Sequence, residues 1–86
     1  MDYSIAIGID NYKDKNIAET PCAENDAKAY NDVMTKQFCL EKNVLLLGKQ
    51  ATKSAIIQCF ENMPVSKDDR VFLFFAGHGS NVYNEL

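Results

Sequence analysis

Arg-Val-Phe-Leu-Phe-Phe-Ala-Gly-His-Gly-Ser, residues 70–80, is the stretch on which the fold turns. Its six consecutive apolar residues, 71–76, are too few for an isolated helix and rich in β-favouring aromatics. They read as a strand covered on both faces, the kind that lies in the middle of a sheet. The strand runs directly into Gly77-His78-Gly79, which holds the chain's one histidine. Open α/β sheets bind ligands in the crevice outside the carboxyl ends of their strands. His78 is therefore the first candidate for chemistry.

Upstream, residues 66–69 form a polar turn, and Pro64 ends a helix expected over 52–62. Thr52 is its N-cap, and Ile56, Cys59, Phe60 and Met63 fall at i, i+3, i+4 and i+7, one face of a helix. Residues 43–47 end in an apolar run closed by Gly48, hence another strand. Thr20-Pro21 reads as an N-cap followed by proline at the first helical position, opening a helix over 21–37. Its buried stripe is Ala23, Ala27, Tyr30 and Met34, with Val33 alongside, while Glu24, Lys28, Asp32 and Lys36 lie elsewhere on its surface.

The chain opens with a strand over 3–9, where isoleucines alternate with small residues and Gly8 permits a close helix approach. It too is expected to be central. Residues 10–19 are polar and aperiodic, a long connection where about 2 to 6 residues is usual, and long loops of this kind are often functional. The order strand, helix, strand, helix, strand predicts an α/β fold: a parallel sheet with helices on its faces, joined by right-handed crossovers. With the most apolar strand last, its outer edge would be left unpaired, a liability that proteins cover. The expectation is the first part of a larger sheet.

With 86 residues the chain holds one domain at most, and the 47% hydrophobic and 24% charged content is ordinary for a globular protein. Net charge is −3, with nine basic residues scattered rather than clustered, which argues against nucleic acid or an anionic membrane as partner. A cationic partner suits it better. No signal core or membrane-length apolar run is present, and three cysteines lack metal-type spacing, so free thiols in the cytoplasm are expected. Each of Cys22, Cys39 and Cys59 reads first as a small buried hydrophobe, with Cys22 the nearest to the crevice. Ser80 reads as a turn former.

From the residues alone, His78 is either a satisfied structural histidine or a general base awaiting a nucleophile. Asp26 is first an acid favoured by the helix dipole, and second a carboxylate facing the crevice. No phosphate loop, dinucleotide fingerprint or metal-ligand cluster is present, and a receiver-like or flavodoxin-like binding domain lacks its acidic cluster and phosphate loop here.

Four segments in register carry a resemblance: Ile-Ala-Ile-Gly-Ile-Asp-Asn-Tyr at 5–12, Cys-Ala-Glu-Asn-Asp-Ala at 22–27, Ala-Thr at 51–52, and Asp-Asp-Arg-Val-Phe-Leu-Phe-Phe-Ala-Gly-His-Gly-Ser at 68–80. Together they resemble the caspase-like cysteine peptidases, and most closely the metacaspase and bacterial caspase-homologue branch. The resemblance implies a partial three-layer α/β/α sandwich and a Cys-His dyad in which His78 protonates the leaving amine. It implies that Gly79 supplies a backbone N–H to the oxyanion hole, and that Asp26 lines an S1 pocket selecting arginine or lysine. True caspases use an arginine after the first strand to bind aspartate; residues 10–19 contain none, and the one arginine, Arg70, precedes the third strand. The family's nucleophilic cysteine follows a fourth strand, and the chain ends before that strand would begin. The expectation is thus residues 1–86 as the N-terminal part of one peptidase domain, inactive alone, with a protein or peptide substrate and the rest of its own domain or a related peptidase as partners. The alternative is a non-catalytic truncated homologue that binds a related peptidase through its open strand edge. No cofactor is expected, and these residues carry no sign either way of a calcium requirement in the complete domain.

Overall fold

The computed structural model describes residues 1–12, 16 and 18–77. The elements run β1 (Asp2–Gly8), α1 (Ala23–Gln37), β2 (Leu40–Leu47), α2 (Lys53–Glu61) and β3 (Arg70–Ala76), with a short 3-10 turn at Gly48–Gln50. The three strands are parallel in the order β2-β1-β3. The chain steps from β1 to β2, then returns across β1 to reach β3. With α1 and α2 on opposite faces, both steps are compatible with right-handed crossovers.

The alternation along β1 decides how the layers form. Its odd residues Tyr3, Ile5 and Ile7 are large and buried, and they form a core with Met63, against which Val44, Leu46, Ile56 and Cys59 pack. That is the α2 face. The even residues Ser4, Ala6 and Gly8 are small and buried, so α1 can lie close over them. At Gly8 a Cβ would come within 2.6 Å of the Ala23 carbonyl oxygen and 2.8 Å of the Ala27 Cβ, so only glycine allows this helix-to-sheet distance. Large side chains fill the space beside that narrow seam. Tyr30 of α1 stacks on Phe74 of β3 at 4.6 Å between ring centroids, and Phe38 tilts against Phe72 at 5.1 Å.

The third strand leaves its outer edge unpaired among the described residues, as expected of an apolar strand placed last. β1 is central, whereas β3 lies at the edge of the described sheet. Its even residues meet α1, but Val71, Leu73 and Phe75 lie on the face of Tyr3, Ile5 and Ile7, beyond the reach of α2, and remain 40%, 55% and 51% exposed. Apolarity on both faces reports what a strand is built to contact, and among the described residues only one face is covered.

Smaller corrections have local causes. Helix α1 begins at Ala23, with Cys22 at its N-cap in the left-handed region at φ 71°. Thr20 does not cap it: the Thr20 hydroxyl donates to the Ile9 carbonyl. Val33 is 55% and Phe60 47% exposed, each at the margin of its helix's buried face. Cys22 and Cys39 are exposed and Cys59 is half-buried, so only Cys59 approaches the expected buried state. Thr52 caps α2 as expected, its hydroxyl accepting from the Ala55 N–H at 3.1 Å.

Candidate site at the carboxyl ends of β1 and β3

The order β2-β1-β3 makes the gap between β1 and β3 the point where successive connections leave in opposite directions. Crevices form at such points, outside the carboxyl ends of the strands. The two strands stay paired up to that edge: Gly8 is opposite Ala76, and the Ile9 N–H donates to the Ala76 carbonyl at 3.1 Å. Gly77 is the first residue after β3. His78, Gly79 and Ser80, which follow it in sequence, lie outside the described residues.

The loop after β1 is closed at its base. The Thr20 N–H donates to the Asp10 carbonyl at 2.8 Å, next to the Thr20 hydroxyl bond to Ile9. Asp10 and Glu24 then exchange bonds. The Glu24 N–H donates to Asp10 Oδ1 at 2.8 Å, and the Asp10 N–H donates to Glu24 Oε2 at 3.1 Å. The Asp10 carboxylate thus takes one of the N–H groups that the first turn of α1 leaves unpaired. The effect is to seat that turn on the carboxyl end of β1.

Tyr12 lies across the top of this arrangement. Its hydroxyl stands against Gly77, where a Cβ would be only 2.6 Å from Oη and 2.8 Å from Phe75 Cζ. On the other side Tyr12 lines a cavity of about 690 Å³ together with Asn11, Glu24, Leu47, Gly48 and Lys49. The cavity opens on the β2 side of β1, so Tyr12 is the wall between it and the end of β3.

Asp26 sits on the first turn of α1, at the same end of the sheet, with its side chain exposed and its N–H donating to the Cys22 carbonyl at 2.9 Å. Its carboxylate is open to solvent rather than buried toward the crevice. Among the cysteines, Cys39 precedes β2 at the opposite end of the sheet and Cys59 packs on the core side of α2. Cys22 alone is at the crevice end. Glu24, read from sequence as a surface acid, is half-buried and joins the loop to the helix. The signal for it was the pair of acids Asp10 and Glu24 flanking one polar loop, and for Tyr12 a lone aromatic in that loop.

The described groups with perturbed titration all lie at the other end. Arg70 makes two bonds to Asp2, Nε to Oδ1 at 2.9 Å and Nη2 to Oδ2 at 2.7 Å, which hold the Asp2 carboxyl below its ordinary pKa and raise that of Arg70. The N-terminal ammonium does the same to Asp69 at 2.7 Å, with help from the Ser66 N–H. Burial raises the pKa of Tyr3. Arg70 is also 5.4 Å from the centroid of the Phe72 ring, so it is held at the amino end of β3, a strand's length from the crevice. Among the described residues no helix is long and apolar enough to cross a membrane.

Compared with known families, residues 1–85 match the model of the caspase domain, a peptidase family. No curated protein and no solved structure gave a match.

Proposed function

The chain belongs to the caspase-domain peptidase family, and on that premise we propose that it carries the histidine side of a cysteine endopeptidase of the metacaspase or bacterial caspase-homologue type. His78 is the general acid and base, the Gly79 N–H donates to the oxyanion, and Asp26 receives an arginine or lysine side chain. A thiolate bonds to the scissile carbonyl carbon, and the C–N bond breaks as imidazolium His78 gives its proton to the leaving amine. Water then cleaves the thioester, with His78 taking the proton. The thiolate comes from outside these residues.

The observation that carries the proposal is the paired run of β1 and β3 to Ile9 and Ala76, which brings the start of Gly77-His78-Gly79 beside the loop and first helical turn that hold Asp10 and Asp26. The preference for a basic residue is supported by Arg70, whose guanidinium is occupied by Asp2 at the far end of β3. An exposed carboxylate at the crevice end and an engaged arginine at the other favour a cation over an anion as substrate side chain. The unpaired thiols of Cys22, Cys39 and Cys59 suit the cytoplasm.

The test uses the protein isolated at its native length from its source, with peptides ending in Arg, Lys or Asp before the scissile bond. Cleavage after Arg and Lys, lost by about 10²–10⁴-fold in His78→Ala and retained in Cys22→Ser, is the expected result. Cleavage that survives His78→Ala overturns the role of His78, and cleavage after Asp overturns that of Asp26. Absence of cleavage favours a second reading, a non-catalytic partner of a related peptidase, which the exposed Val71, Leu73 and Phe75 on edge strand β3 support.

A further inference from the structure

Gly77 is the last described residue before the histidine, and one side chain from another part of the chain stands against it. The Tyr12 hydroxyl occupies the space a Cβ would need, at 2.6 Å, while the Phe75 ring closes the same space at 2.8 Å. The end of β3 is therefore held between a ring on its own strand and a ring from the loop after β1. That loop is itself anchored, through Thr20 to Ile9 and Asp10 and through Glu24 to Asp10. Tyr12 is half-buried and braced on a fixed base.

We propose that Tyr12 is a positioning residue, which sets the direction in which the chain leaves β3 at Gly77 and so the place of the His78 imidazole. It acts through its contact with Gly77. The inference rests on the reading of His78 as acid and base, since only then does the exit direction matter to a reaction. Misplacement of a reacting group by about 1 Å can cost on the order of 10²-fold in rate, so a contact of this kind is enough to govern turnover.

Two measurements test it. Residues 1–86 hold one histidine, so the imidazole Cε1–H NMR signal that disappears in His78→Ala reports, by its shift and titration midpoint, the surroundings of His78. Tyr12→Ala is expected to move both. Gly77→Ala is expected to move them too, and Tyr12→Phe, which removes the nearest atom, is expected to relieve part of the Gly77→Ala effect in the double variant. Unchanged signals in Tyr12→Ala and Gly77→Ala, or strictly additive shifts in the double variant, overturn the proposal. Because Tyr12→Phe removes only a hydroxyl, the double-variant comparison stands even where Tyr12→Ala disturbs folding.

In the native-length protein, Tyr12→Ala is expected to lower kcat about tenfold or more with KM within about twofold, and Tyr12→Phe to keep most of the rate. A Tyr12→Ala protein that cleaves at the wild-type rate overturns the positioning role while leaving the peptidase reading intact. A wild-type protein that cleaves nothing overturns the peptidase reading, and the imidazole signal then still decides whether Tyr12 orders the end of β3.

Discussion

Asp10 and Glu24 are bonded twice, each side chain accepting from the other's backbone N–H, at 2.8 Å to Asp10 Oδ1 and 3.1 Å to Glu24 Oε2. The pair joins the carboxyl end of the central strand to the first turn of α1, fourteen residues on. Each bond uses a carboxylate, and such bonds contribute about 1.5–3 kcal/mol. Asp10→Ala is therefore expected to lower Tm by roughly 6–24 °C in a domain of this size, and Asp10→Asn, which keeps one acceptor, by less. Thermal unfolding followed by circular dichroism reads both. Equal losses in the two variants would show that the Oδ1 bond is not what seats the helix.

Gly8 and Ala27 face each other across the same seam. An added methyl at Gly8 would meet a carbonyl oxygen and a Cα atom of α1, neither of which can move without moving the helix. Gly8→Ala is expected to destabilise by about 1–3 kcal/mol or more, the usual range for overpacking. Ala27→Gly removes the Cβ at 2.8 Å but leaves the backbone collisions at Ala23 and Glu24, so the double variant should recover little. Full recovery would mean that side-chain contact alone sets the spacing.

Ile5 is fully buried at the centre of β1, and Val33 is 55% exposed on α1. Ile5→Ala should cost about 2–5 kcal/mol and Val33→Ala less than about 0.5, measured by urea unfolding. Similar costs at the two sites would contradict the packing described here.

The contrast between those two residues shows what the sequence could disclose. Alternation in β1 announced both faces of a central strand, because large and small residues separate cleanly between the α2 side and the α1 side. Helical periodicity placed Ala23, Ala27 and Met34 inside but also admitted Val33, since a stripe has no sharp margin until the sheet beneath it is known. Residues 71–76 announced a strand with two apolar faces, yet apolarity does not say which neighbour covers each, and in the described sheet only the α1 face of β3 is covered. The roles of Tyr12 and Glu24 were not legible, because they depend on where a polar loop folds back, and no periodicity governs that.

Asp2 and Arg70 pair in two bonds at the amino ends of β1 and β3. The Arg70 bond is the main cause holding the Asp2 carboxyl below 3.8, partly opposed by desolvation. A carboxyl depressed in the folded state adds stability that is present above the unfolded value and is lost as pH falls through the folded one. The Tm difference between wild type and Asp2→Asn should therefore be constant from about pH 5 to pH 7 and shrink below about pH 4, with Arg70 charged throughout. A difference that stays constant down to pH 2 would remove the ion pair from the acid response.

Leu73 and Phe75 are the test of what the edge strand is for. Both lie on the α2 face of β3, more than half exposed, beside strand-edge N–H and C=O groups that no described strand pairs. An apolar edge of this kind is a template for another strand, and a lysine on it is the usual way proteins prevent that. Leu73→Lys is expected to leave Tm nearly unchanged, as substitutions at exposed sites do, while lowering self-association in sedimentation velocity at high protein concentration. The reference is Ile7→Lys on β1, where a buried site should not accept a charge and the fold should be lost. If Leu73→Lys unfolds the protein as Ile7→Lys does, the face is covered in solution and β3 is an interior strand. If the fold and the association both survive the substitution, contacts elsewhere on the molecule hold the copies together, and the β3 edge is not the surface that recruits a partner.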